Sequence, residues 1–111
     1  MTTSACVLVA MFATACATET NPLAEAPRGE VMPADIARAC DLASQRCSRC
    51  HSIERVAHAH IVEPQEWQRY VHKMRLMPGS DIPPGEELVI SRCLVFRVSG
   101  AAGLAKLQEA P

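Results

Sequence analysis

Large side chains are scarce in this chain. Its 111 residues include one Trp, one Tyr and two Phe, namely Phe12, Trp67, Tyr70 and Phe96, while Ala, Val and Leu supply most of a hydrophobic content of 49 %. Small domains bury proportionally little surface and rely on disulfides, a metal or a cofactor to hold together. A chain with so few bulky residues folds more readily around something large and apolar. Excess charge of one sign is missing too. The net charge is −1 and acids are interleaved with the bases, which excludes the basic footprint of a nucleic-acid binder. No segment alternates apolar and polar residues with the period of two that a half-buried strand requires. The pattern is that of an all-α protein.

Nor is any apolar run long enough to span a membrane, which takes about 20 residues. The uncharged stretch MTTSACVLVAMFATACATET has a centre, Ala5 to Ala15, of signal-peptide length. It ends in Ala13-Thr14-Ala15, a small-residue cleavage pattern, immediately before Cys16. It also resembles a bacterial lipobox, although the n-region lacks Lys and Arg and Ala13 stands where Leu is usual. The expectation is export to the periplasm, with residues 1–15 as signal peptide and Cys16 as the candidate for lipidation. Membrane attachment would be through that anchor alone. Residues 16–32, rich in Pro and acids and without a period, read as a flexible tether.

A first helix begins near Pro33, with Ile36, Cys40, Ala43 and Cys47 on its buried face and Arg38, Asp41 and Arg46 off it. ERVAHAHIVEP reads as a connecting loop. A second helix runs from Gln65 to Leu76 and stops at Pro78-Gly79. SDIPPG is a further breaker. The last helix spans Glu86 to Val98, acids first, with Val89, Ile90, Cys93 and Phe96 on one side. Gly100 and Gly103 loosen a tail over residues 100–111. The expectation is three main helices joined by long loops.

The chemistry lies in Cys47-Ser48-Arg49-Cys50-His51. Two cysteines about one helical turn apart can reach the two vinyl groups on one edge of a haem, and the adjacent histidine then falls under the iron as proximal ligand. A thioredoxin-like dithiol needs a βαβ setting, and nothing strand-like precedes Cys47. A zinc site could draw on Cys47, Cys50 and two of His51, His58 and His60, but a second C-x-x-C or H-x₃₋₅-H pair is lacking. Haem is the one reading that also accounts for the shortage of aromatic core residues.

A haem that carries electrons usually has a second protein ligand, most often a methionine sulfur. Met74 and Met77 are the candidates, with His72, His58 and His60 as histidine options. At 100° per residue, Val71 lies about 40° and Met74 about 20° from Trp67, on one stripe, whereas His72 is turned by about 140° toward solvent. Met74 is therefore the expected distal ligand, with Met77, which precedes Pro78, as the fallback. Arg49, Arg55, Arg69, Lys73 and Arg75 flank the two ligand segments. Arg55 is the first choice to meet a haem propionate, and the N–H of Trp67 and O–H of Tyr70 are further donors. His58 and His60 read as loop histidines without a ligand role.

The segments PADIARACDLASQRCSRCH, HSIERV, EWQRYVHKM, MPGSDI and ELVISRCL, in that order, resemble a small class I c-type cytochrome. More narrowly, they resemble the haem c subunits of bacterial sulfite dehydrogenases and related stand-alone monohaem cytochromes. The likeness covers Pro33 to Arg97. It implies a cytochrome c-like domain over residues 33–99, wrapped around one covalently bound haem c, with the family's W-x₃-V-x₂-M helix mapping onto Trp67, Val71 and Met74. The implied function is one-electron transfer with a redox partner protein, without substrate chemistry. Alternatives are an electron-relay subunit of a periplasmic dehydrogenase complex, or a small-ligand sensor with a labile distal site. The sequence departs from the family at Cys93, where an aromatic is common, and at Ala43, where Phe is often found. The implied fold crosses the first and last helices there, so Cys40 and Cys93 are either disulfide partners or two buried thiols.

Overall fold

The computed structural model describes residues 19–107. The expected signal peptide, Cys16 and the last residues of the tail lie outside them. Among the described residues there is no strand, and the architecture is all-α.

The first apolar stripe forms α1, Ala34–Cys47, which buries Ile36, Ala39, Cys40 and Ala43. Asp35 in its first turn and Arg46 in its last complement the helix dipole. The helix ends at Cys47, so the CSRCH turn leaves directly from its C-terminus. The segment expected to be all loop contains a short helix, α2, Ile53–Ala57, which buries Val56. It has too few residues to register as a period, and Val56 decides its packing. α3, Pro64–Arg75, starts with Pro at the first helical position and buries Trp67 and Val71. After a 3₁₀ turn at Pro84–Glu86 comes α4, Glu87–Leu104.

α4 is the centre of the molecule and packs against both α1 and α3. It buries Ile90, Cys93, Leu94, Val95 and Phe96, more of its circumference than the single expected side. Val89, expected to face inward, is instead 37 % exposed. A helix contacted from two directions buries residues that a one-sided pattern misses.

Two expectations about the ends are corrected. Leu23, within the expected tether, is fully buried in the core. Asn21 Nδ2 beside it donates to the Cys40 carbonyl at 3.0 Å, and Asn21 Oδ1 accepts from Leu23 N–H at 2.9 Å. One apolar side chain and one amide dock this stretch, and neither produces a sequence period. The tail likewise does not begin at Gly100: the helix continues to Leu104 across a kink where Gly100 takes φ 59° and ψ −156°. Glu30 Oε2 accepts the Ala101 N–H there at 3.0 Å.

At the crossing of α1 and α4, the Cys40 and Cys93 sulfurs lie at disulfide distance, 2.09 Å, with both residues fully buried. Ala43, one turn from Cys40, is small and fully buried as well. Cross-linking positions 53 apart in sequence restricts the unfolded chain by about 4 kcal/mol in the chain-entropy model. Cys93→Ala is expected to lose most of that amount in denaturant unfolding compared with the oxidised protein. Gly100→Ala forces a side chain into a backbone region that is essentially glycine-only and pushes against the Glu30 carboxylate. A loss of about 1–3 kcal/mol is expected in the same measurement.

Candidate functional site

A cavity of about 240 Å³ lies beside the CSRCH turn, lined almost wholly by apolar atoms. Its walls are Arg46, Cys47, Cys50, His51, Val56, Tyr70, Met74, Met77, Ser80 and Ile82. The end of α1 and the turn after it supply the first four, α2 supplies Val56, and the C-terminal half of α3 and the loop after it supply the rest. One space thus brings together the cysteines and histidine of the motif and both candidate methionines, which the chain keeps more than twenty residues away.

Cys47 is the last residue of α1 and is half-buried, whereas Cys50 is exposed. Burial first, and then the neighbouring Cys50, pushes the Cys47 thiol up to about 11. At neutral pH it is therefore a neutral, weakly nucleophilic thiol. His51 Nδ1 lies 3.2 Å from the carbonyl of Ser52. A carbonyl only accepts, so Nδ1 carries the proton and the lone pair resides on Nε2, the nitrogen left available to a metal.

On the α3 side, Trp67 and Val71 are buried in the core and are not among the cavity walls. Tyr70 meets Trp67 edge to face, centroids 5.6 Å apart and planes at 83°. Burial, followed by the Cys47 charge, raises the Tyr70 hydroxyl pKa, and the Arg55 cation opposes this. Arg55 itself is exposed on α2 and is not a wall residue. Met74 is partly buried and packs against the core, while Met77 is 44 % exposed in the turn that follows. That turn is held by Ser80, whose hydroxyl donates to the Arg75 carbonyl at 2.7 Å and whose N–H donates to the Met77 carbonyl at 3.2 Å.

The remaining histidines stay off the cavity. His72 is exposed and its Nδ1 lies 3.2 Å from the Glu87 carboxylate, as the helical angle predicts. His58 donates from Nδ1 to the Glu54 carbonyl at 2.8 Å, and both His58 and His60 are exposed. Among the described residues no three His, Cys, Asp or Glu side chains gather into a metal-holding group. Of the flanking cations, Arg49 lies 3.8 Å from Asp81, Arg69 lies 3.9 Å from Glu66, and Arg75 pairs with Glu87.

Two features escaped the sequence reading. Arg46, expected to be an off-stripe charge, lines the cavity and makes a bidentate pair with Glu86 at 2.6 and 2.7 Å. A partner forty residues away leaves no local signal. Arg97 is half-buried, donates to the Ala57 carbonyl at 3.3 Å, and burial lowers its pKa. Its place one turn after Cys93 was the available clue.

The chemistry of the walls fits a haem c. They combine an apolar lining, two cysteine sulfurs, an imidazole with a free Nε2, and two methionine thioethers. Trp67 Nε1 is a buried donor with no partner among the described residues, but Trp67 is not one of the cavity walls. Comparison of the chain with family models, curated proteins and solved structures finds no significant match.

In protein made without haem, Cys47 is expected to alkylate about tenfold faster per pH unit from pH 8 to pH 10, as its thiolate fraction grows toward a pKa of about 11. Peptide mass mapping after timed iodoacetamide quenching reads this. A rate that plateaus near neutral pH contradicts the buried-thiol environment.

Proposed function

We propose that this chain is a monohaem c-type cytochrome of cytochrome c-like fold, an exported one-electron carrier that meets a redox partner protein. The observation that carries this reading is one apolar cavity with Cys47, Cys50 and His51 on its walls together with Met74 and Met77. When bound, haem c supplies an iron that gains and loses one electron, at a potential raised by a sulfur ligand. Cys47 and Cys50 would hold it by thioether bonds, His51 by Nε2 and Met74 by its sulfur. Met74 is preferred to Met77 because it is partly buried on a helix, whereas Met77 is more exposed, on a turn. A ligand held by regular structure needs less ordering when it binds.

Val56, Tyr70 and Ile82 add to the apolar walls of the space. Arg55 contributes positive charge near Tyr70, whose hydroxyl is the donor on the cavity wall. If His51 Nε2 and the Met74 sulfur both held the iron, the protein would leave no position at the metal for a substrate. That supports electron transfer over substrate chemistry, either as a free carrier or as the relay subunit of a dehydrogenase complex.

Met74→Ala is expected to abolish the sulfur-to-iron charge-transfer band of the oxidised protein and to open the reduced protein to carbon monoxide. Met77→Ala is expected to keep the band. Optical spectra of both variants beside the wild type decide the ligand. Complete carbon monoxide binding by the wild type at neutral pH would overturn the carrier reading in favour of a ligand-binding haem protein.

A further inference from the structure

Two adjacent glutamates at the head of α4 hold opposite walls of the cavity. Glu86 accepts from Arg46 Nε at 2.6 Å and Nη2 at 2.7 Å, and so reaches the last turn of α1. Glu87 accepts from Arg75 Nε and, at 3.2 Å, from His72 Nδ1, both in the last turn of α3. Arg46 immediately precedes Cys47, and Arg75 immediately follows Met74. The dipeptide thus ties the segment that carries Cys47, Cys50 and His51 to the segment that carries Met74. Consecutive Cα atoms are about 3.8 Å apart, so the link between the two helix ends is a short peptide unit and not a loop.

These pairs differ from ordinary surface ion pairs. Side-chain exposure is 22 % and 23 % for Arg46 and Glu86, and 24 % and 21 % for Arg75 and Glu87. Screening is correspondingly weaker than at the surface. The Arg46 hydrogen bonds hold the Glu86 carboxyl below its ordinary range. Another pair, Arg92 to Asp35 at 3.0 Å, also joins α4 to α1, but at the far end of α1 from the cavity, and it is more exposed.

We propose that Glu86 and Glu87 are positioning residues that fix the spacing between the His51 side and the Met74 side of the cavity. The proposal rests on the haem reading above. Loosening either anchor lets the Met74 segment move away, and the apparent affinity of an external ligand rises with the fraction of molecules whose distal position is open. The network has two separate anchors, so each can be tested alone.

The test is an imidazole titration of the oxidised holoprotein in Glu86→Gln and Glu87→Gln, with Asp35→Asn as the remote control. Each glutamine variant is expected to bind imidazole about tenfold more tightly than the wild type and to show a weaker sulfur-to-iron band. Asp35→Asn is expected to change neither, whatever it does to the melting temperature. Arg46→Gln and Arg75→Gln put the same question from the other end of each pair, should a glutamine variant fail to load haem. Imidazole affinities within about twofold of wild type, with melting lowered, would show that the pairs serve stability only and overturn the proposal. A wild type purified without covalent haem overturns the haem reading and this proposal with it, whereas loaded variants with unchanged affinity overturn this proposal alone.

Discussion

Burial of α4 from two directions is the constraint on which the rest of the molecule depends. α1 and α3 each pack against this helix, and the ends of those two helices together with the segments that leave them supply most of the cavity walls. The side chains that α4 buries between Ile90 and Phe96 therefore hold α1 and α3 in register with one another. The Cys40–Cys93 pair lies at one of these contacts with both residues fully buried. It stands at the helix crossing where a bulkier contact would otherwise be needed beside the small Ala43. A covalent link there limits how far α1 can slide, and with it the CSRCH turn at its end.

The scarcity of large side chains has a counterpart in the packing. Trp67 and Phe96 are the largest fully buried residues, and the remainder of the core is aliphatic or smaller. Such a core fills the space between α1, α3 and α4 but leaves an apolar cavity at the open end of the helices. Interiors of folded proteins are close-packed, so an apolar space of this kind loses contacts that a bound group could restore. On the reading proposed here, a flat, apolar prosthetic group fills that space.

Electrostatics shape the same region. The carboxylates of Glu86, Glu87 and Asp81 face arginines on the ends of α1 and α3 and in the CSRCH turn. They compensate cations that would otherwise crowd the cavity, while the negative ends of two helices come together there. The positive charge of Arg55 stays outside the walls, on exposed α2.

Helix positions and the ligand stripe were legible because both follow from short-range periodicity. Ile36, Cys40 and Ala43 gave the buried face of α1, Trp67 and Val71 gave that of α3, and the helical angle turned His72 away. The packing of Leu23 and Asn21, the one turn of α2, the burial around α4 and the Arg46–Glu86 and Arg75–Glu87 pairs were not legible. Each depends on a partner far along the chain, or on a single residue without a period. The sequence by itself determined the helices, the spacing of two sulfurs and an imidazole, and the stripe that offers Met74. Only the tertiary structure decided that these face one apolar cavity, because that requires α4 to bring together helix ends that no local interaction connects.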